Sequence, residues 1–251
     1  MAFYVGEAEG VPHGRGERMV GWLVPGEGLW RTAAEERDLM GVRVLAAQVP
    51  RQGKTPGSWR KAARRLRREG CRRVLTPPAL PHWELLREEG LSPVPAGTMS
   101  AALAAPLILH LLEARGCPAE RASVVLRGQR VDQALFQAAM ELCPRVRRLA
   151  VWAGEEGEEL ARDLHRLWGL PVVTPGAGWK ADVTAEFAKP TQPADLILWG
   201  ERPVLSGLTL GRKGGLPPDV DGLSLLALLW ETHRVKTEDI EIFPSSKVQM
   251  T

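Results

Sequence analysis

The chain has 251 residues, of which 44% are apolar and 25% charged, and its 33 basic side chains exceed the 30 acidic ones only slightly, for a net charge of +3. That length suffices for two modest domains with real cores, and the composition is that of an ordinary soluble globular protein. A charge this close to balance argues against a nucleic-acid-binding chain, and the lack of any run of eighteen apolar residues argues against a membrane span.

The first residues carry no charged segment followed by an apolar one, so no signal peptide is expected and the cytoplasm is the expected compartment. Cys71, Cys117 and Cys143 are odd in number and far apart, with no C-x-x-C pair. Inert thiols are expected from them, and no metal site.

Residues 1–18 are Gly-rich and polar, which predicts a loop or a short hairpin. Met19 to Val24 then reads as a strand, Gly26-Glu27-Gly28 as a turn, Leu29 to Met40 as a helix and Val42 to Val49 as a second strand. This is a βαβ unit, but Arg31 occupies the third glycine position of a nucleotide fingerprint, and Glu27 would repel a phosphate. Gly53-Lys54-Thr55 has the ending of a phosphate-binding loop. Gln48 stands where that loop needs its first glycine, however, and Pro56 obstructs the helix that must follow.

Ser58 to Glu69 is a predicted helix with Trp59, Ala62, Ala63 and Leu66 on one stripe. Its other face carries Arg60, Lys61, Arg64, Arg65, Arg67 and Arg68, and the basic run continues to Arg72 and Arg73. A phosphate or nucleic-acid surface over 58–73 is one reading of this face. A solvated helix face is the plainer one, because no aromatic residue is interleaved with the charges. Arg73 to Thr76 reads as a strand, His82 to Glu89 as a short helix and Leu91 to Val94 as another strand. His82 follows a strand end, where a base could stand, although a surface histidine at a helix start is the plainer assignment. Thr98 to Arg115 is apolar on nearly all sides, which predicts a long buried helix.

The next seventy residues have the clearest pattern. Ser123 to Gly128 is a short β-branched run closed by glycine, and Val131 to Leu142 has apolar side chains at helical spacing, with Asp132 at its start. Arg148 to Ala153 forms a second strand. A helix bearing Leu160, Leu164, Leu167 and Trp168 follows, with Gly169 as its stop. Leu170 to Thr174, Asp182 to Phe187 and Asp195 to Trp199 supply three more strands. Strands alternating with helices predict a parallel sheet, whose ligands sit beyond the carboxyl ends of the strands. Those ends are Gly128, Gly154, Thr174 and Ala188-Lys189-Pro190.

Over these residues the chain resembles the Rossmann domain of two-domain dehydrogenases of the glutamyl-tRNA reductase and shikimate dehydrogenase kind. Val124–Gly128 matches the first strand and turn, Leu149–Glu155 the strand whose end faces the ribose, and Ala181–Pro190 the strand near the nicotinamide. The resemblance implies NAD(P) as cofactor, and cofactor-binding roles for Gly128, Arg130, Asp132, Gly154, Glu155, Thr174, Lys189 and Pro190. It implies that Glu155 would accept from a ribose hydroxyl. The fingerprint is incomplete: only Gly128 fits G-x-G-x-x-G, with Arg130 at the second glycine and Gln133 at the third. Arg130 would obstruct the usual pose, or offer a charged fork to a phosphate or carboxylate. The cofactor therefore stays unassigned. No catalytic set is evident either, and Lys189, the single candidate base, would need burial to act.

Pro203 to Pro218 reads as a Gly- and Pro-rich loop near the ligand crevice, and Asp221 to Glu231 as a leucine-dense helix. Such a helix must pack on the body or on a second copy, so a homodimer through it or through the connecting helix stays open. The tail from Lys236 is polar.

The expected fold is α/β: two Rossmann-like parallel-sheet domains joined by a long buried helix. The divisions fall at 1–97, 98–116, 117–215 and 216–251. The expected function is binding by a Rossmann-like protein with a degenerate nucleotide turn. The alternatives are an NAD(P)-dependent oxidoreductase with a remodelled loop, and phosphate or nucleic-acid binding through residues 58–73.

Overall fold

The computed structural model describes residues 19–26, 34–50, 56–169 and 180–245. Strand Leu170–Thr174, and with it Thr174, lies outside the described residues, as do Glu27, Gly28, Arg31 and Gly53-Lys54-Thr55.

The chain begins with β1 (Val20–Gly26), β2 (Glu35–Leu39), β3 (Val42–Pro50), α1 (Pro56–Arg68), β4 (Arg73–Leu75), α2 (Trp83–Glu88) and β5 (Ser92–Pro93). The strands form one sheet in the order β2-β3-β1-β4-β5, parallel except for β2, which runs antiparallel to β3. The predicted helix Leu29–Met40 is therefore overturned over its described part, where the chain is the outer strand of a hairpin. Burial alternates along β2 with a period of two, and Met40 and Gly41 turn the chain with φ of 56° and 85°. Asp38 secures this turn by accepting from Gly41 N at 3.0 Å. The hairpin was hard to read because Leu-Met-Gly-Val is not a common turn sequence.

The sheet buries both faces. Leu23, Leu45, Ala47, Val49 and Val74 face α1, whose stripe of Trp59, Ala62, Ala63 and Leu66 is buried as its spacing predicts. The alternate residues Val20, Trp22, Val24, Val44, Ala46 and Leu75 join a larger cluster on the other face.

Two helices follow, α3 (Gly97–Ala102) and α4 (Ala104–Ala114), in place of the single helix expected over 98–115. The break at Leu103 has a simple cause. Pro106 has no N–H to give the carbonyl of Ala102, and its ring crowds that carbonyl, so the first helix stops there.

The second sheet is built from β6 (Ser123–Arg127), β7 (Arg148–Trp152), β8 (Val183–Glu186) and β9 (Leu196–Ile197), with α5 (Gln133–Leu142) and α6 (Gly154–Trp168) between them. Its order is β7-β6-β8-β9, all parallel. The fold is thus α/β with two parallel-strand, Rossmann-like sheets. Val124, Leu126, Leu149, Val151, Val183 and Ala185 belong to the same apolar cluster as the inner face of the first sheet, linked through buried residues of α3 and α4.

Two last strands, β10 (Leu208–Arg212) and β11 (Ile240–Pro244), pair as an antiparallel ribbon around α7 (Gly222–Glu231). Part of the loop expected over 203–218 is therefore strand, because its partner comes from thirty residues further on. The leucine face of α7 is buried against the body, with Leu225, Leu226, Leu228 and Leu229 in the main cluster. Among the described residues no helix is long and apolar enough to cross a membrane.

Candidate ligand-binding site

In the second sheet β6 is central. The chain leaves it for β7 on one side and later returns past it to β8 on the other. Ligands of open parallel sheets bind where the strand order reverses in this way, here beyond the carboxyl ends of β6 and β8.

The turn after β6 is tight. Gly128 N donates to Trp152 O at 2.8 Å, and a Cβ at Gly128 would lie 2.9 Å from Leu135 Cδ1 and 3.1 Å from Arg130 O. A side chain here would push the Leu135 tip aside and crowd the Arg130 carbonyl, so glycine suits this position. Asp132 caps α5, its carboxylate accepting from Leu135 N at 2.9 Å, as its place in the sequence predicts. Arg130 is exposed.

A further amide of the turn is already taken. Val131 N donates to Glu156 Oε2 at 2.7 Å. Glu156 stands in the first turn of α6, and its carboxylate crosses from the neighbouring βα unit into the turn that would cradle a phosphate. Glu155, the residue expected to reach a ribose, is exposed beside it. Gly154 begins α6 with φ of 60°, and Gly157 lets that helix start against the end of β7, with Val151 O only 3.2 Å from a Cβ built there. The close helix–strand approach that the third fingerprint glycine usually permits thus occurs after β7, not after β6.

On the other side of the crevice Lys189 and Pro190 are exposed, so Lys189 lacks the burial a lysine base needs. The buried charged groups here are two for which the sequence pattern predicts no role. Arg127 and Glu186 end β6 and β8 in register with each other, 8% and 5% exposed. Arg127 Nε lies 3.3 Å from Glu186 Oε2. Arg127 also donates to Gln192 Oε1 at 3.1 Å and to Pro193 O at 2.6 Å, which ties down the loop after β8. Burial pushes the Glu186 carboxyl above its ordinary value, while the Arg127 charge and a backbone bond from Ala188 oppose that shift. A charged residue closing an otherwise apolar strand, as in Ser-Val-Val-Leu-Arg and Val-Thr-Ala-Glu, was the available signal.

No family model matches this chain, and neither does any curated protein. Two solved structures resemble it weakly. One is the apo form of D-mandelate dehydrogenase from Rhodotorula graminis, 12% identical, with a TM-score of 0.31 over 67% of this chain and 65% of that one. The other is an unliganded arylmalonate decarboxylase, 18% identical, with a TM-score of 0.22 over 65% of this chain and 94% of that one. The fold class rests on the strand order itself, and neither likeness bears on activity.

The carboxyl ends of the two sheets meet. Ala96 N and Gly97 N, just after β5, donate to Glu201 O at 3.2 Å and Gly200 O at 3.1 Å, just after β9. Arg87 reaches Glu201 at 2.7 Å, and the Arg202 guanidinium lies 5.3 Å from the centre of the Trp83 ring. Among the described residues no group of three His, Cys, Asp or Glu is placed to hold a metal ion.

Proposed function

We propose that this chain is a Rossmann-like binding protein that does not take a dinucleotide at its β6–α5 turn. The observation that carries this reading is the Glu156 carboxylate on Val131 N–H. A pyrophosphate would have to displace a charge-assisted hydrogen bond and would meet two carboxylates, those of Glu156 and Asp132, in a turn that lacks two of its three glycines. The exposure of Lys189 and the closed Arg127–Glu186 pair support a site without a free acid or base.

The oxidoreductase alternative requires Glu156 to move away. Titration with NADH and NADPH tests this, read by quenching of Trp152, whose exposed ring follows the strand to the expected ribose end. No saturation is expected up to about 1 mM of either, whereas saturable binding near 1 μM, or about −8 kcal/mol, would overturn the reading. The basic-helix alternative is weakened by pairing within the chain: Arg60 meets Glu88 at 2.5 Å, Arg64 meets Glu89 at 2.9 Å and Arg65 meets Glu69 at 3.3 Å.

A further inference from the structure

We infer that the carboxyl edge of the first sheet holds a separate site for a small oxyanion, a carboxylate or a phosphate, between the first turn of α1 and the β4–α2 loop. This edge has its own reversal of strand order. The chain passes from β1 to β3 on one side and returns past β1 to β4 on the other, so the crevice lies at the carboxyl ends of β1 and β4.

Among the described residues, five polar side-chain atoms on the elements around that crevice are buried without a hydrogen-bond partner. Trp22 Nε1 lies on the opposite face of the sheet and Arg60 Nε stands against Glu89, which leaves Trp59 Nε1, Thr76 Oγ1 and Trp83 Nε1. Trp59, in the first turn of α1, is 5% exposed, and Thr76, the residue directly after β4, is 1% exposed. Trp59 and Trp83 pack into the same apolar cluster as Val74, and Thr76 follows β4 two residues beyond Val74. The His82 ring lies 6.4 Å from that of Trp59.

Folded proteins seldom leave such groups unpaired. An indole N–H can only donate, so both tryptophans call for an acceptor. The surrounding charges favour an anionic one. The first turn of α1 has no acidic side chain, and Arg202 lies over the Trp83 ring. The nearby carboxylates of Glu88, Glu89 and Glu201 are paired with Arg60, Arg64 and Arg87. That of Asp221, whose N–H donates to Thr76 O, accepts from Ser224 Oγ at 2.6 Å, and Glu84 is exposed to solvent. A group with two or three oxygens could accept from both indoles and the hydroxyl together.

The test uses the full chain labelled with 15N at its tryptophan indoles, with the Trp59 and Trp83 signals assigned from Trp59→Phe and Trp83→Phe. Inorganic phosphate, acetate and pyruvate are titrated separately, so that the phosphate and carboxylate arms distinguish the two sources. One arm is expected to move both signals with a single saturating affinity, and Thr76→Val is expected to weaken that affinity about tenfold. Two signals unmoved by every probe up to about 10 mM, as when buried water serves these groups, would overturn the inference. Signals that follow different affinities, or an affinity indifferent to Thr76→Val, would do the same. If Thr76→Val does not fold, the titration of the unmodified chain decides. Glu156→Ala should leave this titration unchanged, which separates it from the reading of the second sheet.

Discussion

Individual side chains at the strand ends determine how the second sheet's crevice behaves. The Glu186 carboxyl is raised by burial above its ordinary 4.5 in spite of the opposing Arg127. The folded state therefore holds this proton more tightly than the unfolded chain. The resulting stability is fully present below the ordinary carboxylate value and is lost as pH rises through the raised folded value. Denaturant unfolding across that window should show this slope, and Glu186→Gln should remove it. Arg127→Ala should cost about 3–5 kcal/mol, since it leaves a buried carboxylate unpaired and frees the loop held through Gln192 and Pro193. The cysteines offer an independent check. Burial pushes the Cys71 thiol up to about 11, and the nearby Glu69 adds to the shift; Cys143 is buried and also raised. A thiol reagent at neutral pH should modify Cys117, which is partly exposed, and reach Cys71 and Cys143 only on unfolding.

At the scale of elements, the joint between the sheets depends on one glycine. A Cβ at Gly97 would lie 2.7 Å from Gly200 O, 2.8 Å from Gly200 N and 3.0 Å from Trp199 C. All three are backbone atoms and cannot rotate away. Gly97→Ala should cost about 1–3 kcal/mol or more and separate the β5 and β9 ends, which a urea midpoint and the loss of amide protection at Gly97 would report. The connecting segment shows what periodicity can and cannot tell. The apolar character of 98–115 was legible and is buried as expected, but the single proline at 106 divides it into two helices. The strand β2 was illegible for a different reason. Four of its five residues are charged and none of those is buried, and only the pairing with β3 determines their conformation.

For the molecule as a whole, one apolar cluster runs from the inner face of the first sheet through α3 and α4 to the second sheet, and α7 contributes four leucines to it. Units that share a core in this way do not melt separately. Calorimetry should therefore show one transition whose measured and van't Hoff enthalpies agree, and residues 117–215 alone should not fold cooperatively. The same continuity disfavours a hinge between the sheets, so a ligand at either carboxyl edge meets a largely pre-formed surface.

The sequence by itself determined the alternation of strands and helices from β3 onward, the parallel class of both sheets apart from the β2 edge, the buried stripe of α1 and the cap at Asp132. Each follows from local periodicity or from a side chain bonding its own neighbours. It also revealed the missing glycines of the β6–α5 turn. Only the tertiary structure decided what fills that turn. Glu156 meets Val131 across two βα units, and Arg127 meets Glu186 across fifty-nine residues, so no local pattern records either contact. The pairing of the basic face of α1 with α2, and the unpartnered tryptophans beside it, are likewise products of packing, which brings charges and donors together without regard to their order along the chain.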